Sequence, residues 1–152
     1  MIGGAAASPP ALGLGARLLS YVKEHGGRVF VAPTDVFLSD RDVVEPDVLF
    51  VRPEHVDRAE RRFVRSAPDV VVEVSSPSTR RLELTRKRAL YERHGVGEYW
   101  HVDLGADRVE VLSLAEGRYG RPRLLGRGDV LASSQVPGFS LDVDDLLGPR
   151  ED

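Results

Sequence analysis

Acidic side chains interrupt two stretches of the chain that otherwise have the composition of buried β-strands. The segment PDVVVEVS, residues 68–75, contains four valines, yet Asp69 opens it and Glu73 lies inside it. A second proline–aspartate pair, which contains Asp47, lies in VVEPDVLFV, residues 43–51. Burying a carboxylate is costly unless a cation or a hydrogen-bond donor pairs with it. These carboxylates are therefore candidates for binding a metal ion.

Strand geometry distinguishes between the candidate partners of Glu73. Asp69 lies four residues before it on the same strand, roughly 13 Å away, which is too far to share a metal ion. Asp47 lies on a different strand, and a neighbouring strand brings carboxylates close together. A hairpin turn centred on residues 40–41 places Asp35 roughly opposite Asp47 on the same face. The predicted metal ligands are thus Asp35, Asp47 and Glu73, while turn-ending or backbone-capping roles stay open for all three.

Lys87 is the candidate cation for this acidic group. Leu84 precedes it by three residues, and Leu90 and Tyr91 follow it by three and four. A period of 3.6 residues puts these side chains on one helix face, which should contact the sheet. From that face Lys87 can reach inward to the carboxylates, which would offset its desolvation. The alternative is that its long side chain extends outward to solvent.

The elements that must position these residues follow from hydrophobic periodicity and from turn residues. Glycines at positions 26, 27 and 95 mark the ends of two helices. The predicted order is a helix over 12–25, a strand over 28–39 interrupted at Pro33, a strand over 43–51, a loop or short surface helix over 54–65, a strand over 69–75, a helix over about 80–94, paired strands over 98–103 and 107–114, and a last strand with a short helical turn within 135–147. This order predicts an α/β fold around a mixed sheet.

Composition limits the class of protein. The 152 residues predict one domain over 1–152, with a flexible start at 1–10. The chain has no cysteine, which excludes disulfides and thiolate metal sites, and its net charge of −3 does not favour general affinity for nucleic acid. No apolar run approaches the roughly 20 residues that span a bilayer, and the first residues do not resemble a signal peptide. A cytoplasmic protein without membrane contact is expected.

The chain resembles the Uma-two family of endonucleases in four segments, VFVAPTDVFLS, VVEPDVLFV, APDVVVEVSSPSTRRLELTRKRALYERHGVGEYWHVD and VPGFSLDV. That family belongs to the PD-(D/E)xK, restriction-endonuclease-like superfamily, and the resemblance runs from about Ala11 to Leu147. It implies an α/β/α core with a mixed central sheet, in which an Asp and a Glu on adjacent strands bind a metal ion near a Lys. Relatives carry a longer N-terminal segment and a His at the position of Ala11, so a shortened start is one expectation.

The family motif can be matched to this sequence position by position. Asp47 matches the first acidic residue and Glu73 the second. The third position, where the superfamily has Lys, is Ser75 here, and Lys87 on the following helix stands where this family carries its lysine. Glu83 falls where relatives usually have Asp. The resemblance thus implies catalytic roles for Asp47, Glu73 and Lys87, with Ser75, Glu83 and Tyr91 as supporting candidates.

The chemistry that the resemblance implies is hydrolysis of phosphodiester bonds in nucleic acid, with DNA favoured over RNA. Mg²⁺ or Mn²⁺ would be held by the carboxylates. Two alternatives stay open. The first is a catalytically inactive nuclease-like fold that acts as a binding or dimerising module. The second is a structural homodimer in which Asp47, Glu73 and Lys87 form a buried ion network.

Overall fold

Three α-helices, one 3-10 helix and twelve strands make up the described part of the chain, residues 7–79 and 81–150 of a computed structural model. The helices are α1 (Pro9–His25), α2 (Arg81–Arg93) and α3 (Val143–Leu147), and the 3-10 helix is Pro53–Arg58. The strands are β1 (Arg28–Val31), β2 (Asp35–Phe37), β3 (Val43–Val44), β4 (Val48–Val51), β5 (Phe63–Arg65), β6 (Val70–Ser75), β7 (Glu98–Asp103), β8 (Arg108–Ala115), β9 (Arg118–Tyr119), β10 (Arg123–Leu125), β11 (Val130–Ala132) and β12 (Ser140–Asp142).

A mixed sheet of seven strands forms the centre of the fold, in the order β1-β4-β6-β7-β8-β10, with β9 paired to β8. Strands β6 and β7 are parallel, and the other pairs in this sheet are antiparallel. Parallel neighbours need a crossover connection, and α2 provides it. Two smaller sheets have the orders β3-β2-β5 and β11-β12. The predicted α/β fold with a mixed central sheet is confirmed.

Helices cover the central sheet on both faces, which explains the run of valines in β6. Val70 and Val72 belong to the hydrophobic cluster that contains residues of α1 and α3. Val71 belongs to a second cluster, which contains Tyr91 of α2 and residues of the β3-β2-β5 sheet. Successive side chains of a strand point to opposite faces, so a strand buried on both faces has apolar residues at consecutive positions. Glu73 follows Val71 by two residues, so its side chain points to the same face of the sheet, which is the face that α2 covers.

The predicted strand over 43–51 is two strands, β3 and β4, which lie in different sheets. Pro46 separates them because it has no N–H group for a ladder and restricts the backbone of Glu45 before it. Strand β4 pairs with β6, as predicted for the two acidic segments. Within 54–65 the structure has the 3-10 helix and also β5, a strand that the sequence did not indicate.

The helix ends follow from their capping residues. Helix α1 begins three residues before the predicted start, because Ser8 accepts a hydrogen bond from Ala11 N and Pro9 suits the first turn. It ends at Gly26, whose φ of 85° is the left-handed conformation that favours glycine. The prediction of a flexible start falls mostly on residues 1–6, which lie outside the described residues. None of the described helices is long and apolar enough to cross a membrane.

Candidate active site

Two carboxylates meet on adjacent strands of the central sheet. Val48 of β4 pairs with Val72 of β6, and the same antiparallel register continued by one residue puts Asp47 opposite Glu73. Residues directly opposite each other share a face of the sheet. Asp47 Oδ2 also accepts a hydrogen bond of 2.7 Å from Val74 N, which holds the end of β4 against β6. The sequence prediction that Asp47 and not Asp69 lies beside Glu73 agrees with this arrangement.

Glu73 is buried and has two partners on α2. Its side chain is 5% exposed, and its Oε2 lies 3.4 Å from Lys87 Nζ. The same oxygen accepts a hydrogen bond of 2.6 Å from the Tyr91 hydroxyl. Burial raises the pKa of Glu73, and the charge of Asp47 adds to this, while Lys87 and the Tyr91 hydroxyl act in the opposite direction. The carboxyl group is thus compensated only in part by its protein partners.

Lys87 and Tyr91 are four residues apart on α2 and therefore neighbours on one helix face. Tyr91 is fully buried and Leu90 packs against the same cluster, so the predicted face of α2 contacts the sheet. The Lys87 side chain is 32% exposed, so its ammonium lies at the boundary between Glu73 and solvent. Burial and the nearby Glu73 charge raise the pKa of Tyr91 well above its usual value. The Tyr91 hydroxyl therefore keeps its proton, which it donates to Glu73 in the hydrogen bond.

Asp35 does not join this pair. Val36 pairs with Val44, so the continued register places Asp35 opposite Glu45, and the predicted register is wrong by two residues. A hydrogen bond with Asp35 raises the pKa of Glu45, with burial as the second cause. The hairpin is centred on Asp40, and the break at Pro46 places Asp47 at the start of β4, which lies in the other sheet. Within residues 7–79 and 81–150, no three His, Asp or Glu side chains are grouped to hold a metal ion.

Asp69, the other aspartate that follows a proline, has a structural role. Its Oδ2 accepts a hydrogen bond of 2.7 Å from Arg52 N, and its Oδ1 lies 2.9 Å from His55 Nδ1. Both partners belong to the start of the 3-10 helix. Asp69 thus ties this turn to the beginning of β6, which accounts for a buried carboxylate without a metal ion.

Ser75 hydrogen-bonds a histidine that the sequence reasoning did not select. Its hydroxyl lies 2.6 Å from His101 Nε2, and both residues are buried. His101 pairs with Glu73 across β6 and β7 and with Glu110 across β7 and β8. Asp47, Glu73, His101 and Glu110 are therefore successive register partners. Together they form a row of polar side chains over β4, β6, β7 and β8 on the face that α2 covers. The signal in the sequence that could have identified its face is the two-residue period of the strand EYWHVD, which puts His101 on the same side as Tyr99.

Glu83, the remaining supporting candidate, is exposed in the first turn of α2. No hydrogen bond or ion pair joins its side chain to another described residue. An acidic group in the first turn favours the helix through the helix dipole. Its position on α2 is one turn before Lys87, so it lies at the outer edge of the site.

The carboxylates fit a magnesium-type ion. Among the described residues, no hydrogen bond reaches Asp47 Oδ1 or Glu73 Oε1, so each group keeps one oxygen for a ligand. Mg²⁺ is usually held by one or two carboxylates, with waters and substrate phosphates filling its other positions. Two carboxylates on one face are therefore a suitable donor set for Mg²⁺ or Mn²⁺.

Comparison with known proteins agrees with the fold. A sequence profile of the Uma2 family, described as "Putative restriction endonuclease", matches residues 3–144. The structure is similar to the crystal structure of "a putative nuclease belonging to DUF820" from Anabaena variabilis ATCC 29413, with a TM-score of 0.72 and 18% identity over 91% of this chain and 78% of that chain. No curated protein matches the chain in sequence. Because the profile covers most of its length, the chain belongs to the Uma2 family.

Proposed function

We propose that this protein is a metal-dependent endonuclease that hydrolyses phosphodiester bonds in nucleic acid, with DNA favoured over RNA. Its membership of a family described as "Putative restriction endonuclease" supports the reaction class. The observation that carries the proposal is the meeting of Asp47, Glu73 and Lys87 at one place on the α2 face. Two acidic groups and one cation are the residue types that metal-assisted phosphodiester hydrolysis requires.

Each of these residues has a distinct task in the proposed reaction. Asp47 Oδ1 and Glu73 Oε1 are the oxygens that would hold a divalent ion. When bound, such an ion would supply Lewis-acid chemistry, which polarises a phosphate oxygen and lowers the pKa of a water molecule. Lys87 places its ammonium beside Glu73, where it stabilises the negative charge that develops on the phosphate. Tyr91 donates to Glu73 Oε2 and thereby fixes the orientation of this carboxylate.

Ser75 cannot supply the charge that the superfamily places at its position. Its side chain is neutral, and its hydroxyl is already hydrogen-bonded to His101. The positive charge therefore comes from Lys87 on α2, whose side chain is long enough to reach Glu73 in the sheet. This division of roles makes the packing of α2 on the sheet a condition for activity.

A cleavage assay tests the proposal. Plasmid DNA and a structured RNA are incubated with wild type in Mg²⁺, in Mn²⁺ and in EDTA. We expect cleavage in the two metals alone, and its loss in Asp47→Asn and Glu73→Gln. The matched control is Asp145→Asn, which removes an exposed carboxylate on α3, on the other face of the sheet. Cleavage in EDTA, or full activity of Glu73→Gln, would contradict the proposal.

The same assay separates the two alternatives. An inactive binding module would bind nucleic acid but leave it uncut in every metal. A buried ion network would neither cut nucleic acid nor bind Mg²⁺, and its variants would differ from wild type in stability alone.

A further inference from the structure

A cleft of about 350 Å³ lies between α2 and the strands β7 and β8. One wall is a single helix face, on which Arg81, Leu84, Thr85 and Arg88 follow each other at spacings of three, one and three residues. The opposite wall comes from the sheet and includes Tyr99, His101 and Arg108. The catalytic residues of the proposed function do not line this cleft.

The cleft nevertheless adjoins the candidate active site. His101 on its wall is the register partner of Glu73. Tyr99 packs against Tyr91, which donates to Glu73, with 5.2 Å between the ring centroids. Neighbouring strands are about 4.8 Å apart, so β7 and β8 lie roughly 5 and 10 Å from the strand of Glu73. If a nucleic acid is bound at Glu73, the nucleotides next to the bound one would lie in this cleft.

The cleft walls carry hydrogen-bond donors without protein partners. In the described part of the chain, Tyr99 Oη and Arg108 Nε are the buried side-chain polar atoms without a hydrogen-bond partner, and both residues line the cleft. A buried donor without a partner destabilises the fold, so native structures seldom keep one without a reason. Arg81 and Arg88 also form no ion pair with any described residue. The guanidinium groups of Arg81 and Arg88 share one chemistry, which is the recognition of an anion.

The charges of the cleft favour an anionic ligand. Its two acidic residues already have partners in the protein. Asp103 accepts a hydrogen bond from Ala106 N, and Glu110 accepts one from Arg108 at 3.0 Å. Arg81 and Arg88 keep their guanidinium groups available for a ligand. Such groups bind phosphate oxygens in a bidentate manner, which lysine cannot do.

We infer that this cleft binds a backbone phosphate of the nucleic acid that flanks the phosphodiester bond positioned at Glu73. The inference rests on the proposed function, because that function places the nucleic acid at Glu73. It assigns the phosphate contact to Arg88 and Arg81. Phosphate contacts fix the register of a protein on its nucleic acid without reading its sequence. The subsite thus holds the nucleic acid at β7 and β8, while the reaction takes place at β6, one or two β-strands away.

Arg88→Gln tests the subsite, with Arg86→Gln as its matched control. Both remove one positive charge from the middle of α2, but Arg86 is exposed and does not line the cleft. Binding of a short fluorescein-labelled DNA is followed by anisotropy in EDTA, where no cleavage is expected. We expect Arg88→Gln to weaken binding about fivefold and to lower the salt slope of log K by about 1. Arg86→Gln should change the affinity by less than about twofold.

Further arms separate the competing explanations. Arg88→Lys keeps the charge, so it should restore most of the salt slope without the full affinity. Equal affinity of the Arg88→Gln and Arg86→Gln proteins, or no DNA binding by wild type, would overturn the subsite. A mononucleotide that competes as well as the DNA would assign the cleft to a free nucleotide and would also overturn it.

A parallel Mg²⁺ cleavage assay keeps the two proposals distinct. Cleavage by wild type together with unchanged binding by Arg88→Gln would leave the nuclease function standing and remove the subsite. Loss of binding in Arg88→Gln without cleavage by wild type would leave the subsite standing and remove the nuclease function.

Discussion

Lys87 and Glu73 meet across the boundary between α2 and the central sheet, with 3.4 Å between Nζ and Oε2. The glutamate is buried, whereas about a third of the lysine side chain is exposed. The charge of Lys87 therefore offsets part of the desolvation of Glu73, while about a third of the lysine side chain keeps its contact with solvent.

Replacing Lys87 should separate its role in the fold from its role in the reaction. Methionine has a similar length and packs well in apolar surroundings, so Lys87→Met should remain folded. We expect its nuclease activity to fall about 10²–10³-fold, as on loss of one group that stabilises charge in the transition state. Lys23→Met is the control, because Lys23 is an exposed lysine on α1. Similar activity of both variants would remove Lys87 from the proposed mechanism.

The raised pKa of Glu73 gives the stability of the metal-free protein a defined pH dependence. The unfolded chain ionises Glu73 near the ordinary value of 4.5, whereas the folded protein resists ionisation up to a higher pH. Below 4.5 both states hold the proton, so the contribution of Glu73 to stability is fully present. It is lost as the pH rises from the unfolded to the folded pKa.

Urea unfolding of wild type and Glu73→Gln in EDTA, between about pH 4 and 8, measures this contribution. The stability of wild type relative to the variant should decrease with pH, because glutamine does not titrate. In Lys87→Met the decrease should extend to higher pH, since Lys87 lowers the pKa of Glu73. A relative stability that increases with pH would show that the protein favours the charged form of Glu73.

Part of this site could be predicted from the sequence because it depends on local periodicity. The helical spacing around Lys87 determines the face of α2 that contacts the sheet. The period of two in a strand puts Glu73 on the same face as Val71, and the structure shows that this is the face that α2 covers. The adjacency of β4 and β6 is implied by the family resemblance, and the pairing of the two strands agrees with it.

Other features depend on contacts between distant segments. Strand β5 lies in an arginine-rich stretch whose composition indicates a solvated surface, and it forms because it pairs in parallel with β2. The partner of Asp35 depends on the register of the hairpin that joins β2 and β3, which a pattern of apolar residues does not reveal. His101 has no metal-ligand spacing, and its place beside Glu73 follows from the register of two parallel strands.

Tyr91 and Tyr99 should respond oppositely to removal of their hydroxyl groups. Both are buried on the α2 face, but the Tyr91 hydroxyl donates to Glu73 and the Tyr99 hydroxyl has no partner in the described structure. Tyr91→Phe should lower the free energy of unfolding by about 1–3 kcal/mol, the usual cost of removing one partner of a buried hydrogen bond. Tyr99→Phe should be neutral or stabilising. Chemical denaturation of both variants measures the difference, and equal losses would contradict the assigned hydrogen bond.

Metal binding should stabilise the folded protein through Asp47 and Glu73. A ligand that binds only the folded state adds about 2.7 kcal/mol when its concentration is a hundred times its Kd. We expect Mg²⁺ or Mn²⁺ to raise the melting temperature of wild type in scanning calorimetry. Glu73→Gln and Asp47→Asn should lose most of this increase. Asparagine can still accept the hydrogen bond from Val74 N, so Asp47→Asn should keep the pairing of β4 with β6.

Asp35→Asn decides which carboxylates bind the ion. Asp35 lies opposite Glu45 in the smaller sheet, whereas Asp47 lies opposite Glu73 in the central sheet. If the ion binds to the central sheet, Asp35→Asn should keep the full increase in melting temperature with Mn²⁺. Loss of that increase in Asp35→Asn, together with its retention in Glu73→Gln, would move the metal site to the pair of Asp35 and Glu45. Lys87 would then lie away from the metal ion, and its role in the reaction would have to be withdrawn as well.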